Sequence, residues 1–426
     1  MRTKRIICLI IFKMPKYNSL SNVFRSLKYY NFRLYFIGQS ISLIGTWMQR
    51  VTIPWVVYRL TNSALYLGVA GFASQIPTFL LSPLAGVIVD RSERYKLLFI
   101  TQTIAMTQAL LLFTLYQLEY ISVPIIIFLN IILGAVNAFD MPARQSLLIH
   151  LVEGKDNLNN AIALNSSMVN LARLLGPSMA GVIITILGEP VCFLINAISY
   201  LFVVICLALM KLKKIPIHKS KRKIFEDFLE GFKYIREHPP LKYVILLLGL
   251  ISFVGMPYTV LLPVYVREVL KGDAHIYGFL MGAVGIGALS GAFLMASRES
   301  TRGIGNFIPR ACLIFGLALI TFSRVKTFSL ALIIVAIAGF GMVTETITSN
   351  TFLQLYTQEE KRGRVMSFYT LAFTGMTPFG SLFAGSLANS LGVKTTLLLS
   401  GFVVTLGGLL FLRKIPSFYA KASHFF

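Results

Sequence analysis

The sequence predicts an all-α membrane protein with about twelve transmembrane helices arranged in two six-helix halves. Three observations carry this. The 426 residues are 56% hydrophobic and only 13% charged, where a soluble domain carries roughly 25% charged residues. The apolar residues come in runs of about 18–25, the length that crosses a hydrocarbon core. The basic residues fall between alternate runs, as the positive-inside rule expects of cytoplasmic loops.

The spans read along the chain are 32–60, 65–89, 96–118, 123–148, 159–187 and 191–212, then 241–266, 276–296, 304–322, 330–355, 363–391 and 395–412. This divides the protein into a basic N-terminus (1–31), a first bundle (32–212), a polar linker (213–240), a second bundle (241–412) and a tail (413–426). In the linker, Phe225, Phe228, Leu229, Phe232 and Ile235 recur at helical spacing between charged residues, so an amphipathic helix is expected there. It should lie against the membrane or the underside of the protein, ended by Pro239-Pro240.

A net charge of +23 is also what a nucleic-acid binder shows, but its placement argues for topology. Eight basic residues and no acid precede or open the first span, and further basic blocks sit at 91–96, 211–223, 298–302, 361–364 and 413–414. Both termini and the linker are therefore expected in the cytoplasm, which an even number of spans satisfies. Cys8, Cys192, Cys206 and Cys312 form no C-x-x-C pair and read as small apolar residues. The apolar run Ile6–Phe12 is short and lacks a small-residue cleavage site, unlike a signal peptide. Met1 and Met14 both stand as possible starts.

The halves look like copies. Gly134 to Asp140 matches Gly339 to Glu345 at an offset of 205, Thr52-Ile-Pro-Trp resembles Leu261-Leu-Pro-Val, and Ala180-Gly181 parallels Ala384-Gly385. A parallel repeat of two bundles is a transporter architecture, with substrate held between the halves near the midplane. A charge at mid-bilayer costs at least ~2.5–3.5 kcal/mol, so polar groups inside spans need a reason. Gln39, Ser42, Thr46 and Gln49 share a face of the first span, bordered by Arg50. Asn130, Gly134 and Asn137 share one on the fourth, and Ser166, Asn170, Arg173 and Pro177 one on the fifth. Gly341, Glu345 and Thr348 align on the tenth. These faces are expected to line a polar cavity, with Gln39, Thr46, Gln49, Asn137 and Asn170 contacting substrate.

Arg50 lies in the outer half of its span, away from Asp140 and Glu345, and is read as attracting an anionic group or gating the outer mouth. Apolar surroundings favour a neutral carboxyl, which makes Asp140 and Glu345 candidate proton carriers. Arg144 stands four residues after Asp140, a spacing that equally suits a local ion pair. Glu345 has no basic residue near it in its helix. Arg173, less than one turn before Gly176-Pro177, either pairs with an acid of another span or lines the path.

Two motifs name a family. Gly86-Val-Ile-Val-Asp90-Arg91-Ser-Glu-Arg94-Tyr-Lys96 resembles the loop signature of the major facilitator superfamily, with Glu93 and Tyr95 as departures. There Gly86 permits close packing, and Asp90, Arg91 and Arg94 form a charge latch between bundles. Gly176-Pro177-Ser-Met-Ala180-Gly181 is similar to the antiporter motif of the same superfamily; it serves close helix packing, coupling or both. Phe32 to Gln39, Gly45 to Arg50, Asp140 to Gln145, Asn165 to Arg173 and Arg362 to Ser367 resemble the exporter branch that includes the enterobactin exporter and macrolide efflux proteins. The resemblance implies the major facilitator fold, residence in the bacterial inner membrane and efflux of a small molecule by proton antiport. A common fourth-span arginine is replaced here by Asn130, so coupling must use other groups.

The expected partners are a small-molecule substrate, protons and the bilayer, for a chain working as a monomer with no cofactor, metal or nucleic acid. The substrate is read as a siderophore, an antibiotic or an amphipathic drug. An importer or lysophospholipid flippase of the same fold is the first alternative. A polytopic enzyme or a sensor is the second, but no H-E-x-x-H, G-x-S-x-G or Walker lysine loop occurs.

Overall fold

The computed structural model describes residues 23–211, 224–298 and 300–422, helical almost throughout with no strand among them. The first half comprises α1 (Tyr30–Thr61), α2 (Ala64–Arg91), α3 (Arg94–Gln117), α4 (Val123–Leu148), α5 (Lys155–Leu187) and α6 (Glu189–Ala208). A short helix, α7 (Ile224–Glu237), leads to α8 (Pro239–Glu268), α9 (Ala274–Ala296), α10 (Phe307–Phe322), α11 (Phe328–Tyr356), α12 (359–391) and α13 (Val393–Ala422). Ten of the described helices are long and apolar enough to cross a membrane. Helices α1 and α12 complete the twelve. The first is diluted by its polar face, and the second opens on Glu359-Glu360-Lys361-Arg362 and is interrupted by a π turn at Leu371–Gly375.

One end of the first bundle is fixed by polar contacts of the segments that enter and leave it. The Ser26 backbone N–H donates to Asn160 Oδ1 at 3.0 Å, and Asn31 Nδ2 donates to the Lys211 carbonyl at 2.9 Å. The starts of α1 and α5 and the end of α6 therefore share one face, here the linker face. Helix α7 rests on this face against the start of α12. Its Glu230 bonds Lys361 and, at 2.8 Å, Arg364, while Phe228 stacks on Phe368 at 4.7 Å. The amphipathic helix thus packs on the protein's underside. Pro239-Pro240 occupies the first turn of α8, where a missing N–H costs nothing, and only His238 separates the two helices.

The repeat seen in the sequence is also a repeat of contacts. Gly134 of α4 lies against α2, where a Cβ would come 2.6 Å from the Ser74 carbonyl. Gly339 of α11 lies against α9 in the same way, 2.4 Å from the Val284 carbonyl. The seam between the halves is doubled likewise. Gly181 of α5 meets Gly278 of α9, and Gly385 of α12 meets Gly68 of α2, each pair close enough that an added Cβ would strike backbone within 3 Å. Small residues at such crossings let helices associate where no hydrophobic effect drives them together.

The seam is concentrated away from the linker face. Tyr58 OH donates to Glu268 Oε1 at 2.9 Å, Ser63 Oγ to Asn389 Oδ1 at 3.0 Å, and Trp55 stacks on Tyr277 at 6.0 Å. Arg267 caps the other ring contact of Trp55 at 4.8 Å. Contact continues to mid-membrane, where Phe379 meets Phe72 and Phe79 edge-on. Toward the linker face it stops: a Cβ at Gly86 or at Gly363 would meet nothing within 4 Å. The sequence-based reading of Gly86 as a close-packing position is thereby corrected for this arrangement, because none of the described residues lies against it.

The residues before Val23, including Cys8 and the run Ile6–Phe12, lie outside the described set, as do the basic stretch 212–223 and the side chains of Asp90, Phe225, Glu226 and Asp227. Cys192, Cys206 and Cys312 are buried free thiols.

The close crossings predict selective intolerance. A Cβ at Gly287 would fall 1.8 Å from the Ala336 carbonyl. Gly287→Ala should lower the melting temperature of the detergent-purified protein, an overpacking cost of about 1–3 kcal/mol. Gly86→Ala should not lower it. Equal behaviour of the two variants would contradict the packing described.

Candidate functional site

Polar side chains gather in the first half where α1, α3, α4, α5 and α6 converge. Hydrocarbon offers them no water, so each must find a partner within the protein or face an aqueous cavity. Three groups result.

The first is an ion-pair cluster toward the linker face. Asp140 Oδ2 bonds Arg144 Nη2 at 2.5 Å, and its Oδ1 accepts from Thr101 Oγ1 at 3.0 Å and Gln102 Nε2 at 2.7 Å. Arg144 Nη1 also donates to Gln39 Oε1 at 2.9 Å. Asp140 is 2% exposed. Both oxygens of this carboxylate are engaged, and the cluster ties α1, α3 and α4 together.

The second is a neutral network. Gln49 Nε2 donates to Gln108 Oε1 at 2.9 Å, and Gln49 Oε1 accepts from Asn196 Nδ2 at 2.7 Å. Gln49 is 2% exposed. Both ends of its amide are committed to joining α1, α3 and α6, so a substrate would reach it only by breaking these bonds. Thr46 is partly exposed beside it and pairs with Tyr200 OH at 3.1 Å.

The third group is cationic. The guanidinium of Arg50 stands 4.9 Å from the centre of the Trp47 ring, and that of Arg173 stands 5.3 Å from the same ring. The groups acting electrostatically on Arg50 are Tyr200, Arg173 and Arg144, with no carboxylate among them. Arg173 Nε is buried with no hydrogen-bond partner among the described residues. Arg50 is exposed although it lies mid-helix among charged neighbours from α4 and α5, so its exposure is to the space these helices enclose. Asn137 and Asn170 are half-buried, and Asn170 Nδ2 donates to the Ser166 carbonyl at 3.0 Å.

Glu345 stands alone in the second half. It is 0% exposed; Ser349 Oγ donates to its Oε1 at 2.7 Å, and its Oε2 has no partner. No arginine or lysine pairs with it among the described residues.

The antiporter-like motif makes close contacts on two sides. A Cβ at Gly176 would lie 2.5 Å from Trp47 Cβ, which seats α5 on α1, while Pro177 and Gly181 seat α5 on α9. At the loop signature, Arg94 Nη1 donates to His150 Nε2 at 2.6 Å, and Lys96 bonds Glu93 at 2.9 Å. Arg91 is exposed. Arg94 is thus engaged within the first half, and the latch expected between bundles does not run through it in this arrangement.

Several members escaped the sequence reading. Thr101, Gln102 and Gln108 form a polar stripe on α3 at helical spacing, a signal that was available. Asn196, Ser199 and Tyr200 form another on α6. The meeting of two arginines on Trp47 had no signal, since it joins residues more than a hundred positions apart.

Two repeated bundles joined by a seam of close glycine crossings, with polar groups buried inside the membrane-spanning helices, define a membrane transporter of the major facilitator type. The chain belongs to the family described as transmembrane secretion effector, whose model matches residues 21–424. It is 29% identical over 373 residues to the staphyloferrin A transporter of Staphylococcus aureus, covering 86% of this chain and 92% of that protein. It is 23% identical over 393 residues to macrolide efflux protein A of Streptococcus pyogenes, covering 88% and 95%. Its fold matches an inward-facing, unoccupied bacterial homologue of the lysosomal transporter Spinster at a TM-score of 0.69, with 14% identity over 90% of this chain and 97% of that one. Family and relatives are transporters, and the resemblance to the exporter branch holds.

Two outcomes test the geometry. Asp140→Ala leaves Arg144 inside the span without its carboxylate, which should destabilise the protein by about 3 kcal/mol or more. Thermal unfolding in detergent reads this, and Asp140→Leu combined with Arg144→Leu should recover most of the loss. His150 lies beyond the end of α4, and burial, followed by Arg94, lowers its pKa from the ordinary 6.5. A lowered folded pKa means the contact is fully present above about pH 6.5 and is lost as pH falls through the folded value. Hydrogen exchange over 147–152 should therefore rise on acidification, and His150→Gln should remove that dependence.

Proposed function

We propose that this protein is a secondary active exporter of a small organic compound, a siderophore, an antibiotic or an amphipathic drug, working by alternating access. It resides in the bacterial inner membrane with the linker face and both termini in the cytoplasm. The observation that carries this reading is the asymmetric seam. The halves meet through Gly181–Gly278, Gly385–Gly68 and Tyr58–Glu268, while Gly86 and Gly363 stand free at the linker face. A cavity open on the basic side of the membrane accepts cargo from the cytoplasm, and breaking the seam would release it outward. The positions of the basic loops support this orientation, and the similarity to macrolide efflux protein A supports efflux.

In this reading the bundles 32–212 and 241–412 rock as units joined by 213–240, and the chain works as a monomer. Thr46, Arg50, Asn137, Asn170 and Arg173 face the cargo, while Gln39 and Gln49 hold the helices that carry them. Glu345 is the better candidate for proton exchange. It can take up and release a proton without breaking an ion pair, whereas Asp140 must break one with Arg144. The small-residue motif around Gly176, Pro177 and Gly181 is the pivot of the seam. Asp90, Arg91, Arg94 and Arg144 act on the linker side when it closes.

A deletion strain compared with the same strain complemented should lose one compound from the medium and retain it in the cells. The opposite pattern would mean uptake. In proteoliposomes bearing a pH gradient, Glu345→Gln should abolish gradient-driven accumulation of that compound while leaving exchange across the membrane. Unchanged accumulation in Glu345→Gln would remove Glu345 from the coupling.

A further inference from the structure

The cavity in the first half carries an uncompensated positive charge. Among the described residues it holds three guanidiniums, Arg50, Arg144 and Arg173, and one carboxylate, Asp140. Asp140 is engaged by Arg144, Thr101 and Gln102, and neither Arg50 nor Arg173 is among its partners. A guanidinium keeps its charge in proteins, unlike a buried lysine or carboxyl, so neutralisation must come from an anion.

Stacking on Trp47 offsets part of the cost, but a cation–π contact is worth only about 0.5–2 kcal/mol. It also satisfies no N–H donor. Arg173 Nε is buried without a partner among the described residues, and Arg50 is exposed. Two arginines on one indole repel each other, an arrangement that an empty site pays for and a bound anion relieves.

The position fits cargo. Trp47 and Arg50 precede the seam residue Trp55 by eight and five residues, about 12 and 7.5 Å along α1. Arg173 lies near the middle of α5, where a Cβ at Gly285 of α9 would come 3.3 Å from its carbonyl oxygen. The pair therefore sits beside the α5–α9 seam, in the middle third of the helices. The indole holds the two guanidiniums close to one another.

We infer that Arg50 and Arg173, ordered on Trp47, form a two-point clamp for a small organic anion bearing at least two carboxylates. Each planar guanidinium donates paired N–H bonds to one carboxylate, and the carbon skeleton bridges the two beside the indole. This inference rests on the exporter reading and names the class of its cargo.

The test uses the full chain in nanodiscs and the intrinsic fluorescence of its two tryptophans, Trp47 and Trp55. Citrate is the probe, with triethyl citrate as its neutral ester and tetraphenylphosphonium as an organic cation. Citrate should change the emission saturably in Trp55→Phe and not in Trp47→Phe, and neither control compound should do so. Arg50→Ala and Arg173→Ala should each weaken the response about tenfold or more, the loss of a charge-assisted contact. Should either fail to fold, Arg50→Lys and Arg173→Lys keep the charge, lose the fork and should weaken it by a smaller factor. An equal response to the ester or the cation, a citrate response indifferent to both arginines, or no citrate response overturns the clamp. Export of a cationic or neutral compound in the deletion-strain comparison would also overturn it while leaving the exporter reading intact.

Discussion

Hydrocarbon does not solvate polar groups, and the architecture follows from how this chain answers that constraint. Backbone groups are satisfied within each helix. Side chains have only two choices, to bond one another or to face water held inside the protein. The Asp140–Arg144 pair with Thr101, Gln102 and Gln39 takes the first choice, and so does the chain Gln108–Gln49–Asn196. Arg50 takes the second, and Arg173 Nε is left with neither among the described residues. The first half is therefore built around polar glue, and the groups left over after the glue is set are the ones available for function.

The second half answers differently. Its core is apolar and aromatic, with Tyr258, Tyr265, Phe315, Phe322 and Phe352 all buried. Its single deep carboxyl, Glu345, is held by one serine. Charge is thus divided between the halves, fixed cations in one and a lone acid in the other. Under the proposed exchange, cargo and proton would act on different bundles, and the motion that exchanges their access would be the coupling between them.

The seam sets what that motion must break. Glycine-to-glycine crossings carry much of it, and these gain contact area without interlocking side chains. They are joined by a few polar bonds, Tyr58–Glu268 and Ser63–Asn389 among them. Helices that meet through backbone surfaces can separate without repacking a jigsaw core. On the linker face, α7 is anchored to the start of α12 by Glu230 and the Phe228–Phe368 stack, so any movement of α12 carries the linker with it.

The sequence by itself determined the twelve crossings, the two-half repeat, the amphipathic linker helix and the polar faces. Each depends on local periodicity, and a membrane leaves only helices to satisfy it. It also exposed the Asp140–Arg144 spacing, because a pair four residues apart on one helix is already in contact. Only the tertiary structure decided which polar residues are glue and which are free. Gln49 and Arg50 are neighbours in sequence and both lie on or beside the polar face of α1, yet one is spent on Gln108 and Asn196 while the other stands over Trp47 beside Arg173. The partners that separate their roles come from α3, α5 and α6, whose approach to α1 is fixed by packing at positions such as Gly45 and Gly176 and by no pattern within α1 itself.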